Sequence, residues 1–85
     1  MQTIRMSDNT VVPGHILPGR DGRYIFVYLD GMSLADGFSL MSNTSKTGVM
    51  TTVYGEEDQN TYIGYTEITA MNTDFGNCNL TMRKV

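Results

Sequence analysis

Short runs of β-branched, aromatic and other apolar residues dominate this chain, and clusters of Gly, Asn and Asp separate them. Turn signals that recur about every 8 to 12 residues are typical of a protein built mainly from strands. The predicted strands are Gln2–Met6, Thr10–Leu17, Tyr24–Leu29, Val49–Tyr54, Thr61 to about Met71, and Cys78–Lys84. The pattern therefore predicts a mainly antiparallel sheet of five or six strands.

Two of the predicted strands carry signals about their place in the sheet. Thr10–Leu17 contains Pro13, which has no N–H to donate, so this segment is expected to be an edge strand, a bulge or a partly irregular connection. Tyr24–Leu29 is apolar at both alternating sets of positions, which predicts a central strand covered on each face. Between them, Asp21-Gly22 predicts a tight hairpin turn.

A short helix is predicted between the third and fourth strands. Ser33 suits the N-cap and Asp36 the first turn, while Leu34, Phe38 and Met41 form one apolar stripe at i, i+4 and i+7. Two and a half turns are marginal alone, so the helix must pack on the sheet. The order strands, helix, strands predicts an α+β fold, in one domain that spans the whole chain.

Three later segments predict the connections of the second half. The acidic turn Gly55–Gln59 should join Val49–Tyr54 to the long strand as a hairpin, and Asn72–Asn77 should be the last turn. Gly64 lies inside the long strand, where it indicates a bulge, a sharp twist or the close approach of another group.

Charge and composition exclude several function classes. Six Lys and Arg stand against nine Asp and Glu, giving a net charge of -3 and a pI near 4.7, so duplex nucleic-acid binding is not expected. No apolar run approaches the roughly 20 residues of a membrane span, and no signal peptide is recognisable at the N-terminus. The single cysteine, Cys78, cannot form an internal disulfide, which fits a reducing compartment. We expect a cytoplasmic protein without a membrane partner.

The residues that could support catalysis are few. His15 is the only histidine, which excludes sites with two His ligands, and Cys78 has no second cysteine or neighbouring cation. The carboxylates of Glu56, Glu57 and Asp58 lack the alternating spacing of a calcium loop. The expectation is a protein that is not an enzyme and has no metal or cofactor.

Two polar loops are the best candidates for a ligand site. One is the hairpin Gly19–Arg23, and the other is the predicted helix-to-strand loop Ser42–Gly48, which is rich in hydroxyl groups and contains one lysine. Such groups can bind an anion such as phosphate, although the second loop is not a Walker A motif and also fits an ordinary polar loop. The predicted ligand-binding residues are Arg20, Arg23, Ser45, Lys46 and Thr47.

The tyrosines predict an interaction surface. This chain has five, more than so small a core can bury completely, and a sheet face that carries them serves either as cover for the helix or as a contact surface. Seven methionines add adaptable side chains. The predicted surface residues are Tyr24, Tyr28, Tyr62, Tyr65 and Glu67, the last being a carboxylate inside a strand that must face solvent, a partner subunit or a cation. A homo-oligomer is expected.

Three segments carry a resemblance to other proteins. Ile4–Thr10, Gly31–Phe38 and Tyr62–Ile68 resemble patterns in short uncharacterised proteins of bacteriophages and prophages of gut-type Firmicutes. The resemblance covers most of the chain and has no diagnostic motif, so it transfers no functional residues. It implies a small protein that works by binding.

The sequence thus leads to two functional expectations. The first is a non-catalytic phage protein that acts as an oligomer and either inhibits a host defence target or sequesters a small anionic ligand such as a nucleotide. The alternative is a structural accessory protein of a phage tail or of virion assembly, whose sheet edges pair with neighbouring copies.

Overall fold

The computed structural model describes residues 2–6, 9–45, 49–54, 57–74 and 76–85. One helix, α1, follows the third strand. The elements are β1 Gln2–Met6, β2 Val11–Pro18, β3 Tyr24–Leu29, α1 Leu34–Ser45, β4 Val49–Tyr54, β5 Glu57–Ile63, β6 Tyr65–Asp74 and β7 Asn77–Lys84.

The seven strands form one sheet in the order β5-β4-β1-β2-β3-β7-β6, with every neighbouring pair antiparallel. The predicted α+β class, the antiparallel pairing and the helix between strands are confirmed. The described residues contain seven strands because Gly64, at φ 88°, divides the predicted long strand into β5 and β6. These two strands lie at opposite ends of the order, so the sheet curls until its two ends meet at Gly64.

The turns beside these strands are shorter than the sequence predicts. The predicted turn Gly55–Gln59 contains the first residues of β5, and Asn72–Asn77 contains the end of β6 and the start of β7. Backbone pairing between Tyr54 and Glu57, and between Asp74 and Asn77, extends both hairpins. The predicted pairing of Val49–Tyr54 with the strand after it is confirmed.

Strand β2 is an interior strand, so the predicted edge position of Thr10–Leu17 is wrong. Residues 11–13 pair with β1, and residues 14–18 pair with β3. Pro13 is tolerated where the pairing partner changes, and its carbonyl accepts a hydrogen bond from the Asp30 amide at 3.1 Å. Gly14 follows at φ 154°, and a Cβ there would lie 2.1 Å from the carbonyl oxygen of Tyr28.

The β2–β3 hairpin forms where the sequence predicts it. The Gly19 amide donates to the carbonyl of Tyr24 at 2.7 Å, and the Arg23 amide donates to Asp21 Oδ1 at 3.0 Å. Gly22 has φ 74°, the left-handed conformation that a turn glycine adopts at little cost. These contacts fix the direction in which the tip of the hairpin projects.

The hydrophobic core lies on one face of the curled sheet, under α1. Among the residues whose burial is described, its buried members are Ile4, Met6, Ile16, Ile25, Val27, Leu29, Met41, Cys78, Leu80 and Met82. Within β3, only alternate residues belong to this core, whereas Phe26 on the opposite face is 38% exposed. The predicted cover on both faces of this strand is therefore wrong: one face is buried and the other is open.

Helix α1 begins as predicted but packs with a different face. The Ser33 side chain accepts a hydrogen bond from the Asp36 amide at 3.2 Å, which confirms the N-cap. Gly37 faces the sheet so closely that a Cβ there would lie 2.4 Å from Cys78 Sγ. This orientation turns Phe38 outward, where it is 42% exposed, so the predicted apolar stripe is wrong at that residue. Residues 42–45 continue the helix rather than forming a loop.

Substitution of Gly14 by alanine should destabilise the fold strongly. The new methyl group would meet a backbone oxygen of β3 in a conformation that side chains rarely adopt, and we expect a loss of about 3 kcal/mol or more in the free energy of unfolding. Gly22→Ala is the matched control, because open space surrounds that position and the cost should be about 1 kcal/mol. Urea unfolding followed by circular dichroism measures both, and equal losses would contradict the role of Gly14.

Candidate functional site

The face of the sheet opposite the core carries the candidate site, and we call it the open face. Side chains alternate between the two faces of a strand, so the residues that alternate with the buried ones along each strand project from this face. The open-face residues of β2, β3 and β7 are Val11, His15, Leu17, Tyr24, Phe26, Tyr28, Asn79, Thr81 and Arg83. None of them is fully buried, so the face is accessible to a ligand or partner.

A groove of about 260 Å³ runs across the open face over β7. Phe26 and Tyr28 of β3 form one side, and β7 contributes small polar side chains to its floor. The open-face residues that line it are Phe26, Tyr28, Ala70, Asn72, Asn79 and Thr81. All the lining residues are uncharged, so the groove combines an aromatic wall with amide and hydroxyl groups.

Two aromatic rings are already stacked beside this groove. The His15 and Tyr28 rings lie 4.7 Å apart between centroids and 13° from parallel. Asn79 in β7 is directly paired with Tyr28 in β3 and with Asn72 in β6. The side chains of Asn79 and Asn72 therefore extend the line of the two stacked rings across the sheet as two neighbouring amides. The stacking engages the only histidine of the chain with an aromatic neighbour, and His15 forms no hydrogen bond or ion pair with a described acidic or nucleophilic side chain.

Four of the six basic residues lie at one end of the sheet, where the β2–β3 hairpin adjoins the end of β7, and we call this end the basic corner: Arg20, Arg23, Arg83 and Lys84. The Lys84 amide donates to the Arg23 carbonyl at 2.7 Å, which joins the end of β7 to the hairpin. Arg23 makes one long ion pair, 3.9 Å to Asp21, with both side chains mostly exposed. Arg20 has no ion pair with any described residue. The corner is thus a concentration of cations on an acidic protein.

Two tyrosines, one at the end of β5 and one at the start of β6, support the basic corner. The Tyr65 hydroxyl donates a hydrogen bond to the Gly22 carbonyl, and Lys84 Nζ lies 5.8 Å from the centre of the Tyr65 ring. The Tyr62 ring packs edge-on against Tyr65 with centroids 6.2 Å apart. Burial, with a smaller contribution from Tyr65, raises the pKa of Tyr62, so the Tyr62 phenol remains protonated at neutral pH.

Arg83 connects the basic corner to the open face. Its guanidinium donates two hydrogen bonds to Glu67 Oε2, of which the one from Nε is 3.1 Å long. The hydrogen bond and charge of Glu67 raise the pKa of Arg83, with a smaller contribution from Tyr24, against a small opposing effect of desolvation. Glu67 therefore has a cation of its own chain as partner, one of the three environments expected for it.

The structure places two of the five predicted ligand-binding residues together in the β2–β3 hairpin. Arg20 and Arg23 lie in the hairpin as expected. Arg23 has Lys84 as a backbone hydrogen-bond partner, and its neighbour Tyr24 is paired with Arg83, two cations that the sequence reasoning missed. Ser45 is the last residue of α1 rather than part of a loop. The remaining two predicted residues, Lys46 and Thr47, lie outside the described residues, so the contribution of this loop stays a prediction.

The predicted tyrosine surface separates into two parts. Tyr24 and Tyr28 lie on the open face, where Glu67 joins them through Arg83. Tyr62 and Tyr65 instead pack against the hydrophobic core and support the basic corner. The sequence pattern could not separate the two pairs, because the curl of the sheet and the break at Gly64 decide which side each tyrosine occupies.

Cys78 is the least accessible of the chemically reactive side chains. It is fully buried beneath Gly37 at the start of β7, and burial raises the pKa of its thiol. A nucleophilic cysteine needs the opposite conditions, an exposed site and a lowered pKa. The residue acts as a small core side chain that permits the close approach of α1.

Other described features add no further chemistry. Within the described ranges, no three His, Cys, Asp or Glu side chains come together as metal ligands. The helix in the same part of the chain, α1, has 12 residues and is too short to cross a membrane. Comparisons of the chain with protein-family models, with curated proteins and with solved structures give no match.

Alkylation kinetics should confirm the buried state of Cys78. Because the thiol is enclosed and its pKa is raised, iodoacetamide at pH 8 should label the native protein at least about tenfold more slowly than the urea-unfolded protein. Mass spectrometry of quenched samples measures both rates. Equal rates would mean that the start of β7 opens readily under native conditions.

Proposed function

We propose that this chain is a non-catalytic binding protein that captures a small anionic ligand at the basic corner. The observation that carries the proposal is the gathering of four of six cations at one end of a protein with a net charge of -3. The carboxylates seen to contact them are Asp21 and Glu67. The hairpin and the end of β7 therefore retain positive charge for an anion.

The accessibility of these cations supports binding rather than a purely structural role. Arg20 and Lys84 are exposed and form no ion pair with the described residues, and the Arg23 side chain is 79% exposed. Arginine guanidinium groups present several N–H donors to phosphate or carboxylate oxygens. A phosphate-bearing or carboxylate-bearing small molecule suits such a corner.

The state of the reactive side chains supports a function without catalysis. Cys78 is buried with a raised thiol pKa, and His15 is stacked on Tyr28 with no described acid–base partner. We extend the proposal to a bacteriophage or prophage origin, on the resemblance given above, with the host cytoplasm as location. Capture of a signalling ligand and binding to a host defence protein would both inhibit the host. The cations of the basic corner favour the first of these two roles, the capture of a ligand.

A second candidate function is assembly through strand β6. The alternative role in a virion was expected to use Thr10–Leu17 as a sheet edge, but this segment lies in the interior of the sheet. The ten-residue strand β6 lies at one end of the sheet and provides an edge instead. Residues 69–74 are all exposed, and after the register shift that ends at Ala70 the pairing with β7 is regular. An exposed strand edge without Lys or Pro is a natural place for pairing with a second copy.

Neutralising the basic corner should abolish anion binding and leave the fold intact. We expect the triple variant Arg20→Gln, Arg23→Gln, Lys84→Gln to bind pyrophosphate and mononucleotides at least about tenfold more weakly, since each charged hydrogen bond contributes about 1.5 to 3 kcal/mol. Isothermal titration calorimetry at fixed ionic strength measures the change. The charge-preserving triple variant Arg20→Lys, Arg23→Lys, Lys84→Arg is the matched control and should retain most of the affinity.

The loop beyond α1 is tested in the same experiment. Lys46→Gln alone should weaken binding if that loop joins the site and leave it unchanged if the basic corner acts without it. Unaltered affinity in the Gln triple variant, or no binding of any of these anions to the native protein, would refute the proposed function.

Pairing through β6 should appear as concentration-dependent association. Sedimentation velocity at rising concentration should show dimers of the native protein, and Thr73→Lys should shift them to monomers because a charged edge disfavours strand pairing. Ser39→Lys, which places the same charge on the exposed side of α1, is the control. A native protein that stays monomeric throughout, or dimers insensitive to Thr73→Lys, would exclude assembly through this edge.

A further inference from the structure

The groove on the open face lies one step away from the basic corner. Phe26 and Thr81 are directly paired in β3 and β7, and Tyr24 and Arg83 are paired two residues further along. Two residues of an antiparallel strand span about 7 Å. A single small molecule can therefore reach from the groove to Arg83, one of the cations of the basic corner.

The groove has the properties of a site for a flat, uncharged ring. Its volume of about 260 Å³ is below the roughly 300 Å³ at which whole-ligand pockets begin, so it accepts part of a ligand. Phe26 is 38% exposed there, and the floor is built from the short side chains of Ala70 and Thr81. An aromatic ring lying on this surface would cover the exposed Phe26.

The polar groups of the groove suit the edge of a heterocycle. Asn72 and Asn79 are Cα partners in neighbouring strands, and both line the groove. Side-chain amides each offer a donor and an acceptor, the combination that reads the edge of a nucleobase. No lining residue is charged, so a carboxylate or phosphate finds no cation inside the groove and belongs at the basic corner.

We propose that the groove binds the base of a nucleotide whose phosphate reaches the basic corner past Arg83. This inference rests on the proposed function and names its ligand class. The base stacks on Phe26 and contacts the amides of Asn72 and Asn79, while the phosphate lies among the cations of the hairpin and β7. Tyr28, held by its stacking on His15, closes the far side of the groove.

The test compares ligands that contain one or both parts. The probes are AMP, GMP, CMP and UMP, the nucleosides adenosine and guanosine, and inorganic phosphate, each titrated by calorimetry. At least one monophosphate should bind about tenfold or more tightly than both phosphate and its own nucleoside, because stacking of a base contributes about 1 to 3 kcal/mol. Amide signals of the groove residues should shift in NMR spectra with the nucleotide and not with phosphate.

Filling the groove provides the decisive variant. Ala70→Phe should weaken the best nucleotide about tenfold and leave the weak affinity for phosphate unchanged, since it occupies the place of the base. Ala35→Phe makes the same substitution at an exposed position of α1 and should have no effect. The double variant Asn72→Leu, Asn79→Leu provides a second route, because it removes the amides while keeping side chains of similar size. Circular dichroism verifies that each variant is folded.

The outcomes separate this inference from the proposed function. Nucleotides that bind no tighter than phosphate, with affinity lost in the Gln triple variant alone, would overturn the groove assignment and leave the basic corner standing. Nucleosides that bind as well as nucleotides and respond only to Ala70→Phe would uphold the groove and overturn the corner. No binding by any probe would overturn both and direct attention to a protein occupant of the open face.

Discussion

The change of partner within β2 is the constraint on which the rest of the structure depends. One strand pairs first with β1 and then with β3, and it thereby joins the β1, β4, β5 half of the sheet to the β3, β7, β6 half. Gly14 makes this possible, since the β3 carbonyl of Tyr28 occupies the space of a Cβ. The curl that begins here encloses the hydrophobic core on the inner side, and no helix in the described part of the chain covers the outer side.

The open face is therefore a product of the fold's geometry rather than of loose folding. The surface area of 5119 Å² is close to the roughly 5,000 Å² expected for a compact monomer of 9.5 kDa, and the radius of gyration is 11.5 Å. The chain therefore buries about as much surface as an ordinary compact monomer of its size. Aromatic side chains such as Phe26 remain outside because a single layer of core fits within the curl, and they are available for another molecule.

Local signals predicted most of the fold because local chemistry decides those features. The Asp21-Gly22 turn and the Ser33 cap depend on contacts within three residues, and both are present as predicted. The wrong predictions concern contacts between distant residues. Pro13 lacks the N–H donor of an ordinary interior strand residue, and it is tolerated because the pairing partner of β2 changes directly after it. Phe38 is turned outward because Gly37 approaches Cys78, which lies forty-one positions later in the sequence.

The same distinction separates the predicted and missed parts of the candidate site. The hairpin arginines are recognisable from composition, since polar turn residues with two cations stand out in an acidic chain. Arg83 and Lys84 join them only through the pairing of β3 with β7, whose register no short-range pattern specifies. The groove is still less predictable, because it results from small residues in β6 and β7 standing opposite Phe26 across three strands.

The ion pair between Arg83 and Glu67 explains why the two parts of the site would act together. An anion alone must compete with a carboxylate that already accepts two hydrogen bonds from Arg83, so a bare phosphate gains little from this cation. A ring alone fills the groove, but one chain covers only one face of the ring, and the other face of the ring stays in water. A ligand with both parts adds stacking on Phe26 to attraction by Arg23 and Lys84, and the two contributions share one loss of translational freedom. Selectivity for the complete molecule then follows from the weakness of each half.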